Sequence, residues 1–430
     1  MENNTQLKEM IRSMVIDVLQ GQKQDIASSR PVKQVSRNQV EPGVFDTVDE
    51  AIRAAKEAQL RFEDCTLATR EKVIADIRAA MRPRVQELAQ KTVEETGMGR
   101  VADKVLKLNL TLDKTPGVED LITECETGDN GMTLYELSAY GVIGAITPST
   151  NPAETLICNS IGMLAAGNAI FFSVHPGAKN LSRELVSELN QVIAKSIGIE
   201  NLIVTLREPS IESAQEMMLH PDVSLLVVTG GPGVVKQALQ SGKKVIGAGA
   251  GNPPAFVDET ADVKKAAQDI VLGASLDNNI LCIAEKSVVA MRQIEPQLVQ
   301  EMVKAGCVLV DNQQDIQRLV DLTVLPNGTP NKQFVGKNAS VILDAAHIPY
   351  NGDPRLIILR TPKDHPFAVI EMLMPILPVV TVDSFDEGLD VCLMLEAGLH
   401  HTATMHSLNM ERLNRMARKM KTSIFVKNGP

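Results

Sequence analysis

Gly141-Val-Ile-Gly-Ala-Ile-Thr147 is a short apolar run that leads into a polar loop and then into a helical pattern over residues 152–166. The alternation continues downstream, with apolar runs at 168–174, 201–205 and 223–229 and helical patterns at 177–197 and 210–219. Strand and helix in alternation predict a parallel sheet with helices on its faces. Ligands of such sheets bind beyond the carboxyl ends of the strands, so the loops after these runs are candidate site loops.

A second alternating region predicts a second α/β lobe. The pattern indicates helices at 261–275, 294–305, 385–397 and 408–420, and strands at 287–291, 356–360, 377–382 and 423–426. Upstream of the first sheet, residues 47–63 and 66–96 carry helical patterns, and the second of these ends at Gly97. The predicted fold class is therefore α/β with two lobes.

Composition narrows the class of protein. The chain has 430 residues, enough for two or three domains, and its net charge of −10 argues against nucleic acid as the main partner. No apolar run approaches the roughly 20 residues that span a bilayer. The six cysteines form no CxxC pair and the seven histidines show no zinc-motif spacing. We therefore expect a globular protein of a reducing compartment, with no membrane, nucleic-acid or metal partner.

Residues 5–19 carry an apolar stripe at helical spacing, with charged residues on the other side. The polar stretch at 21–42 has few large apolar residues and indicates a linker. A short amphipathic helix on a tether, ahead of a folded body, is suited to docking on another protein. The alternative is a helix that packs on its own chain or on a second subunit.

Turn-forming residues follow three strands of the first predicted sheet. Thr229-Gly-Gly-Pro-Gly233 follows a strand and opens a helix, so the backbone N–H groups of Gly230 and Gly231 are candidates for a phosphate site; a structural turn is the alternative. Pro148-Ser-Thr-Asn-Pro152 and His175-Pro-Gly-Ala178 follow two other strands. We expect these three loops to line one crevice, because the carboxyl ends of parallel strands share one edge.

Cys282 is the candidate nucleophile. It follows a helix end and the polar approach Asp277-Asn-Asn279, between the two lobes, whereas Cys158 and Cys307 fall inside regular patterning. A buried structural cysteine is the alternative for Cys282. Glu371, an acid beside an apolar run, is either a solvated helix end or a ribose-binding carboxylate.

Longer motifs carry a family resemblance. They are Glu94-Glu-Thr-Gly-Met-Gly99, Pro148-Ser-Thr-Asn-Pro152, Gly242-Lys-Lys-Val-Ile-Gly-Ala-Gly-Ala-Gly-Asn-Pro-Pro254, Asp258-Glu-Thr-Ala-Asp262, Glu371-Met-Leu-Met-Pro-Ile-Leu-Pro378, His400-His-Thr-Ala403 and Ser423-Ile-Phe-Val-Lys-Asn-Gly-Pro430. On these motifs the chain resembles the aldehyde dehydrogenase superfamily, and within it the CoA-acylating aldehyde dehydrogenases of bacterial microcompartments. The resemblance covers the chain from its N-terminal helix to its last residue.

The resemblance implies an aldehyde dehydrogenase-like fold. The expected parts are an amphipathic encapsulation helix at 1–20, a linker at 21–42, a Rossmann-like nucleotide-binding domain at 43–247 with a small oligomerisation hairpin near 124–140, and a catalytic domain at 248–422. Relatives continue beyond the Asn-Gly-Pro at which this sequence stops. Residues 423–430 are therefore expected to begin a C-terminal segment that looks truncated.

The resemblance also implies a reaction. Cys282 would attack an aldehyde, a hydride would pass to the cofactor, and the acyl group would stay on the cysteine as a thioester. The oxyanion would be held by the Cys282 backbone N–H and a polar group of Thr150 or Asn151. Hydrolytic relatives carry a water-activating glutamate 34 positions before the cysteine, and here that position is Ala248. Coenzyme A, rather than water, is therefore expected to take the acyl group.

The cofactor implied by the resemblance is NAD, with NADP as the alternative. Glu371 matches the family's nicotinamide-ribose carboxylate, and Gly230 and Gly231 match its pyrophosphate turn. The other residues expected around the cofactor are Pro148, Ser149, Ser173, His175, Pro176, Thr229 and Gly249. Ser173 and Pro176 stand where NAD-preferring relatives often carry lysine and glutamate. A missing ribose carboxylate weakens discrimination against a 2′-phosphate.

The implied function is oxidation of propanal or acetaldehyde to acyl-CoA in the lumen of a bacterial microcompartment in the cytoplasm. Residues 5–19 would dock on a shell protein, and the enzyme would be a homodimer or homotetramer. Two alternatives stay open. One is a glutamyl-phosphate-reductase-like enzyme that starts from an acyl phosphate and NADPH, and the other is an inactive cargo protein that docks on shells.

Overall fold

The computed structural model describes residues 41–430, and these residues form one compact unit. The docking helix predicted at 5–19, and all but the end of the linker predicted at 21–42, lie outside the described residues. Within the described range, parallel sheets with helices between their strands confirm the predicted α/β class.

The first sheet is formed by strands between residues 44 and 248. In chain order the strands of this range are β1 (Val44–Phe45), β2 (Glu124–Gly128), β3 (Gly131–Tyr135), β4 (Val142–Ile146), β5 (Ala169–Ser173), β6 (Ile203–Leu206), β7 (Val223–Thr229) and β8 (Lys244–Ala248). Six of these form the sheet in the order β1-β6-β5-β4-β7-β8, and β2 and β3 pair separately as an antiparallel hairpin. Every residue of β4 and β5 is buried, as expected for parallel strands covered on both faces.

The helices of this range are α1 (Val48–Glu63), α2 (Leu67–Met81), α3 (Val85–Thr96), α4 (Val101–Lys114), α5 (Pro152–Ala165), α6 (Lys179–Ile197), α7 (Ile211–Leu219) and α8 (Pro232–Gln240). The helical pattern at 66–96 covers two helices, α2 and α3, which are separated by a 3-10 turn at Arg82–Arg84. Pro83 lies in this turn and has no backbone N–H to donate, which interrupts the α-helix. Gly97 ends α3 with a left-handed backbone, as the pattern predicts.

The second sheet lies between residues 254 and 427. Its strands are β9 (Pro254–Val257), β10 (Ser287–Met291), β11 (Cys307–Leu309), β12 (Leu356–Arg360), β13 (Ile376–Val382), β14 (Thr402–His406) and β15 (Ile424–Lys427). All are parallel, in the order β11-β12-β13-β10-β9-β14-β15. The accompanying helices are α9 (Val263–Ser275), α10 (Glu295–Lys304), α11 (Gln313–Thr323), α12 (Ala339–Ala345), α13 (Pro366–Val369), α14 (Phe385–Glu396) and α15 (Met410–Met420).

Apolar clusters on the two sheets hold the unit together. One cluster joins the first sheet to its helices, and another joins the second sheet to helices such as α14, where Phe256 and Phe385 stack with ring centroids 5.7 Å apart. Burying each such side chain stabilises the fold by roughly 1.5–3 kcal/mol relative to leaving it exposed. The boundary predicted at 247/248 falls at the end of β8. As a domain boundary it stays a prediction, because residues 41–430 form one unit.

Candidate active site

The strand connections of the first sheet diverge between β4 and β7. From β4 the chain moves through β5 and β6 toward one edge, and from β7 it moves through β8 toward the other. A crevice opens beyond the carboxyl ends of two strands at such a point, and nucleotides bind there. Pro148 and Ser149 follow β4, while Thr229, Gly230 and Gly231 end or follow β7, so both predicted loops border this crevice.

The turn after β7 has room for a phosphate group. Gly231 immediately precedes α8, so the first backbone N–H groups of this helix have no partner within it. A Cβ atom placed on Gly231 or Gly249 would meet no other atom within 4 Å, which shows open space beside both residues. Gly230 donates its N–H to the Ala248 carbonyl at 3.1 Å and so joins the turn to the end of β8. These residues fit the pyrophosphate role, which stays a prediction.

The second sheet presents its amino edge to the candidate site. Glu371, Cys282, Gly251 and His401 lie before β13, β10, β9 and β14, which are neighbouring strands in that order. The amino ends of parallel strands share one edge, so the sheet brings these four residues into one row. The crevice of the first sheet lies beyond the carboxyl ends of its strands, as the general rule for such sheets expects. Cys282, in contrast, lies at the amino ends of the strands of the second sheet.

Gly251 lies against both Cys282 and His401. A Cβ atom on residue 251 would come 2.9 Å from the Cys282 carbonyl oxygen and 2.8 Å from Cγ of the His401 ring. A larger side chain would displace one of these groups, so the close approach requires glycine. Nδ1 of His401 lies 2.9 Å from the hydroxyl oxygen of Thr402, which orients the ring.

The charge state of Cys282 depends on its close neighbours. Burial raises the pKa of this thiol above its ordinary value, and the Glu371 carboxylate raises the pKa further. Lys286 and the backbone N–H groups of Cys282 and Ile283 lower the pKa. Burial also raises the pKa of Glu371, while Lys286 and a hydrogen bond from the Gly251 backbone lower it. A thiolate at this position therefore depends on Lys286 and on the backbone donors.

Three consecutive residues just before the candidate nucleophile have a left-handed backbone. The φ angle is 50° at Asp277, 58° at Asn278 and 64° at Asn279, in a region that aspartate and asparagine enter more readily than most residues. Hydrogen bonds hold the turn: Asn278 Nδ2 donates to the Gly336 carbonyl at 2.8 Å, and Asn279 Nδ2 donates to the Ala274 carbonyl at 2.7 Å. Such strained backbone persists only where surrounding contacts hold it, and it clusters at functional sites.

Two buried lysines of α4 tie this turn to the loop after β4. Asp277 Oδ2 accepts a hydrogen bond from Lys104 Nζ at 3.0 Å and pairs with Lys107 Nζ. Lys104 also donates to the Thr150 carbonyl at 3.2 Å, and Lys107 donates to Asn151 Oδ1. An ammonium group only donates, so the Asn151 amide turns its oxygen toward Lys107 and its nitrogen away. One helix thus fixes the predicted oxyanion residues relative to the turn before the cysteine.

The loop after β5, where the adenosine end of the cofactor is predicted, carries no carboxylate between Ser173 and Gly177. Ser173 is the last residue of β5 and is buried. Nδ1 of His175 accepts the Gly177 N–H at 3.0 Å, at the start of a single 3-10 turn that contains Pro176. Burial lowers the pKa of His175, and Lys332 lowers it further. Contacts of these residues with a cofactor stay predictions.

Lys286 and His401 also lie at this edge, and neither was among the residues predicted to act in the site. Burial and Lys286 both lower the pKa of His401, while Glu396 raises it. The signal available for His401 is the motif His400-His-Thr-Ala403, which runs directly into β14. For Lys286 the only signal is a lysine four residues after the cysteine, immediately before a wholly buried strand.

All six cysteines lie in the described range and are free thiols. The described part of the chain contains no cluster of three or more histidine, cysteine, aspartate or glutamate side chains placed to hold a metal ion. Between residues 41 and 430, no helix has the length and apolar character that crossing a membrane requires.

Known proteins are similar to this chain in fold and sequence. The model of the aldehyde dehydrogenase family matches residues 18–430. Propanal dehydrogenase (CoA-propanoylating) of Salmonella typhimurium is 49% identical over 429 residues, which cover 100% of this chain and 90% of that protein. A structure of Rhodopseudomonas palustris propionaldehyde dehydrogenase, with bound CoA and an acylated cysteine, matches with a TM-score of 0.89 and 46% identity, covering 91% of this chain and 90% of that chain.

A propionaldehyde dehydrogenase from a bacterial microcompartment is also similar. This enzyme, from the fucose utilisation microcompartment of Clostridium phytofermentans, matches with a TM-score of 0.89 and 46% identity. The match covers 91% of this chain and 89% of that chain. Similarity to a microcompartment enzyme thus accompanies the similarity in fold.

Proposed function

Because the chain belongs to the aldehyde dehydrogenase family, we propose that it is a CoA-acylating aldehyde dehydrogenase that converts propanal, CoA and NAD to propanoyl-CoA and NADH. The observation that carries this proposal is the placement of Cys282 beside Gly251 and His401, with Ala248 where hydrolytic relatives carry the water-activating base. A thioester formed there has no carboxylate at position 248 to direct water against it.

The chemistry starts at the sulfur of Cys282. The thiolate attacks the aldehyde carbon, a C–S bond forms, and the carbonyl π pair moves to oxygen to give a hemithioacetal anion. NAD, when bound, supplies the acceptor for the hydride that leaves this carbon. The carbonyl re-forms as a thioester on Cys282. The CoA thiolate then attacks it, and Cys282 leaves as a thiolate, so the site is regenerated with no net change.

Asn151 is suited to hold the oxyanion. Lys107 binds Oδ1 of this side chain and thereby fixes which end of the amide is free to meet the substrate. Nδ2 makes only a long hydrogen bond, 3.3 Å, to the Thr150 hydroxyl. A donor fixed before the reaction stabilises developing charge without reorganisation at that moment. We assign the second donor to the backbone N–H of Cys282.

His401 is placed to act on the CoA thiol. Its ring lies against Gly251, and Gly251 lies against the Cys282 carbonyl, so the ring shares the edge at which the thioester forms. Burial and Lys286 lower its pKa, so the imidazole is neutral near pH 7 and accepts a proton. Deprotonation of the incoming thiol by this ring gives the nucleophile that the second half-reaction needs.

NAD is the proposed cofactor, held at the crevice between β4 and β7. Gly231 and Gly249 leave room for the pyrophosphate, and Glu371, at the cysteine edge, would bind the nicotinamide ribose. His175 and Pro176 would border the adenosine. No residue from Ser173 to Gly177 carries a carboxylate that would repel a 2′-phosphate. NADP is therefore the alternative cofactor, and assays with NAD and with NADP distinguish the two.

The test measures products as well as turnover. Purified chain with propanal, CoA and NAD should give NADH and propanoyl-CoA in equal amounts, and omitting CoA should end steady turnover. Cys282→Ala should abolish both products, whereas Cys158→Ala, which changes an exposed cysteine of α5, should keep them. Free propanoate as the main product with CoA present, or turnover by Cys282→Ala, would overturn the proposal.

Location in a microcompartment, with docking on a shell protein through residues 5–19, is part of the same proposal. It is supported by the amphipathic pattern of that stretch and by the similarity to a microcompartment enzyme. A fluorescent protein fused to residues 1–20 should co-purify with shells, and a fusion to residues 21–40 serves as the control. Equal behaviour of the two fusions would contradict docking.

A homo-oligomer is also proposed. The β2–β3 hairpin exposes Met132, Leu134 and Tyr135, with 66%, 61% and 49% of their surfaces accessible. The outermost strand of the second sheet, β15, pairs only with β14 within the described range, so its other side can receive a further strand. Light scattering should give a dimer or tetramer, and Leu134→Asp should lower the oligomer mass. A monomeric parent chain would refute this part.

A further inference from the structure

Lys286 is a buried cation that donates hydrogen bonds to the segment from Asn279 to Leu281, which precedes the nucleophile. Only 3% of its surface is accessible. Its Nζ donates to the Asn279 carbonyl at 2.7 Å, to Asn279 Oδ1 at 2.6 Å and to the Leu281 carbonyl at 2.8 Å. An ammonium group has three N–H donors, so all of them are used. Two of these acceptors belong to Asn279, the last residue of the left-handed turn, and the third belongs to Leu281, the residue before Cys282.

The positive charge of Lys286 has no direct counter-ion. In the part of the chain that the structure describes, the hydrogen bonds of its Nζ go to two backbone carbonyls and one amide oxygen, and none goes to a carboxylate. The titratable groups whose charges act on it are Glu371, Cys282 and Glu285, and His401 lies within reach of its field. A buried cation without a partner is unfavourable, so the position favours a negative charge nearby.

We propose that Lys286 is a positioning residue of the acylation reaction: it clamps the backbone from Asn279 to Leu281 and, in its ammonium form, stabilises the Cys282 thiolate, at the start and again when CoA displaces it. This inference rests on the proposed function in one respect, that Cys282 is the nucleophile. It extends that function by naming the group that makes a buried thiol reactive.

The pKa shifts agree with this geometry. Burial and Glu371 raise the pKa of Cys282, and Lys286 is the cationic side chain that lowers it. Burial in turn lowers the pKa of Lys286 to about 8, and the negative charges of Glu371, Cys282 and Glu285 oppose this shift. Removal of the lysine charge therefore leaves only the backbone N–H groups of Cys282 and Ile283 to oppose burial and Glu371, which favour the protonated thiol.

Lysine suits this position better than other donors. Three acceptors that belong to one short segment converge on a single nitrogen, which a compact ammonium group satisfies and a planar guanidinium does not. Glutamine keeps an N–H₂ group that can bind two of the acceptors but carries no charge. Lys286→Gln thus separates the effect of the charge from the loss of the clamp, and Lys286→Met removes both.

The experiment follows alkylation of Cys282 by iodoacetamide as a function of pH, quantified on the peptide that contains this residue because other thiols also react. No aldehyde, CoA or NAD is present, so the result does not depend on the identity of the substrates. Lys243→Met is the matched control, because Lys243 donates to the His220 and Val223 carbonyls at 2.8 and 2.7 Å at the amino end of the first sheet.

Both Lys286 variants should raise the pH midpoint of alkylation, and a shift of one unit corresponds to about a tenfold slower reaction at neutral pH. Lys286→Gln should do so with a melting temperature close to the parent value, and Lys243→Met should keep the parent midpoint. If the Lys286→Gln midpoint stays at the parent value, the proposal is overturned and Lys286 is only a structural clamp. A Lys286→Met chain that does not fold leaves this decision to Lys286→Gln. Failure to make propanoyl-CoA would instead refute the proposed function.

Discussion

The carboxylate of Asp277 accepts a hydrogen bond from Lys104 Nζ at 3.0 Å, and both side chains are fully buried. Lys104 belongs to α4, whose Leu108 and Leu112 lie in the apolar cluster of the first sheet, whereas Asp277 belongs to the turn that leads to the second. The pair therefore connects the loop that carries Asn151 to the segment that carries Cys282. The position of Cys282 therefore depends on α4, which is far from it in sequence.

Replacing Asp277 by asparagine should destabilise the fold strongly. The change leaves Lys104 without its carboxylate partner and Lys107 with Glu154 alone, and breaking a buried pair by removing one partner costs about 3–5 kcal/mol. Urea unfolding measures this loss. Asp49→Asn, which breaks an exposed pair with Arg53, is the matched control and should cost less than about 1 kcal/mol. Equal losses in the two variants would show that the buried pair does not hold the turn.

Gly251→Ala should impair catalysis more than stability. The added Cβ would lie 2.9 Å from the Cys282 carbonyl and 2.8 Å from the His401 ring, so one of these groups must move. A misplacement of about 1 Å at reacting groups lowers kcat by about a hundredfold. Gly162→Ala in α5, where a Cβ meets no atom within 4 Å, should keep the parent kcat. Parent-like turnover by Gly251→Ala would contradict the close packing inferred at this edge.

Asn151→Asp tests the oxyanion assignment while keeping an oxygen for Lys107. The variant replaces the Nδ2 donor by an acceptor, and loss of one oxyanion donor lowers kcat by about a hundredfold to a thousandfold. Rapid-mixing measurement of NADH formation in the first turnover reports this step. Thr150→Val removes the other predicted donor and should have a much smaller effect. The opposite ranking would move the oxyanion role to Thr150.

Glu285 should make the fold less stable as pH rises from 4.5 to about 7. Burial raises the pKa of this carboxyl from 4.5 to about 7, so in that interval the folded chain holds a proton that the unfolded chain has released. Glu285→Gln should therefore be more stable than the parent by about 3 kcal/mol at pH 7.5, with no difference at pH 4. Urea unfolding at both pH values measures the gap, and a gap independent of pH would contradict it.

His406 should have the opposite effect to Glu285 on the pH dependence of stability. Burial lowers the pKa of His406 to about 4, so its contribution to stability is present above pH 6.5 and is lost as pH falls toward 4. The parent chain should therefore show a shallow pH dependence between pH 4.5 and 6.5. His406→Phe, which removes this titration, should steepen the fall caused by Glu285. An unchanged slope would mean that the two groups do not oppose each other.

The regular elements were predictable where burial alone sets the pattern. The strand predicted at 287–291 is β10, and the strand predicted at 356–360 is β12, because both are continuous apolar runs. The prediction failed to find α4, whose inward face carries Asp103, Lys104 and Lys107. Charged residues at core positions hide the apolar stripe by which a helix is recognised.

The site was predictable in part for a similar reason. Cys282 and the loop after β7 could be singled out from local composition, since each sits at the end of a regular element. The row formed by Glu371, Cys282, Gly251 and His401 could not, because it follows from the order β13-β10-β9-β14. Strand order is set by tertiary packing and long connections, which no local spacing reveals.

The central claim is that Cys282 retains an acyl group that water does not remove and CoA does. Peptide mass spectrometry of the chain after propanal and NAD, before and after addition of CoA, tests this claim most directly. We predict a long-lived propanoyl adduct on the Cys282 peptide that disappears on addition of CoA as propanoyl-CoA forms. Steady release of propanoate without CoA, and no acylated Cys282, would contradict the account.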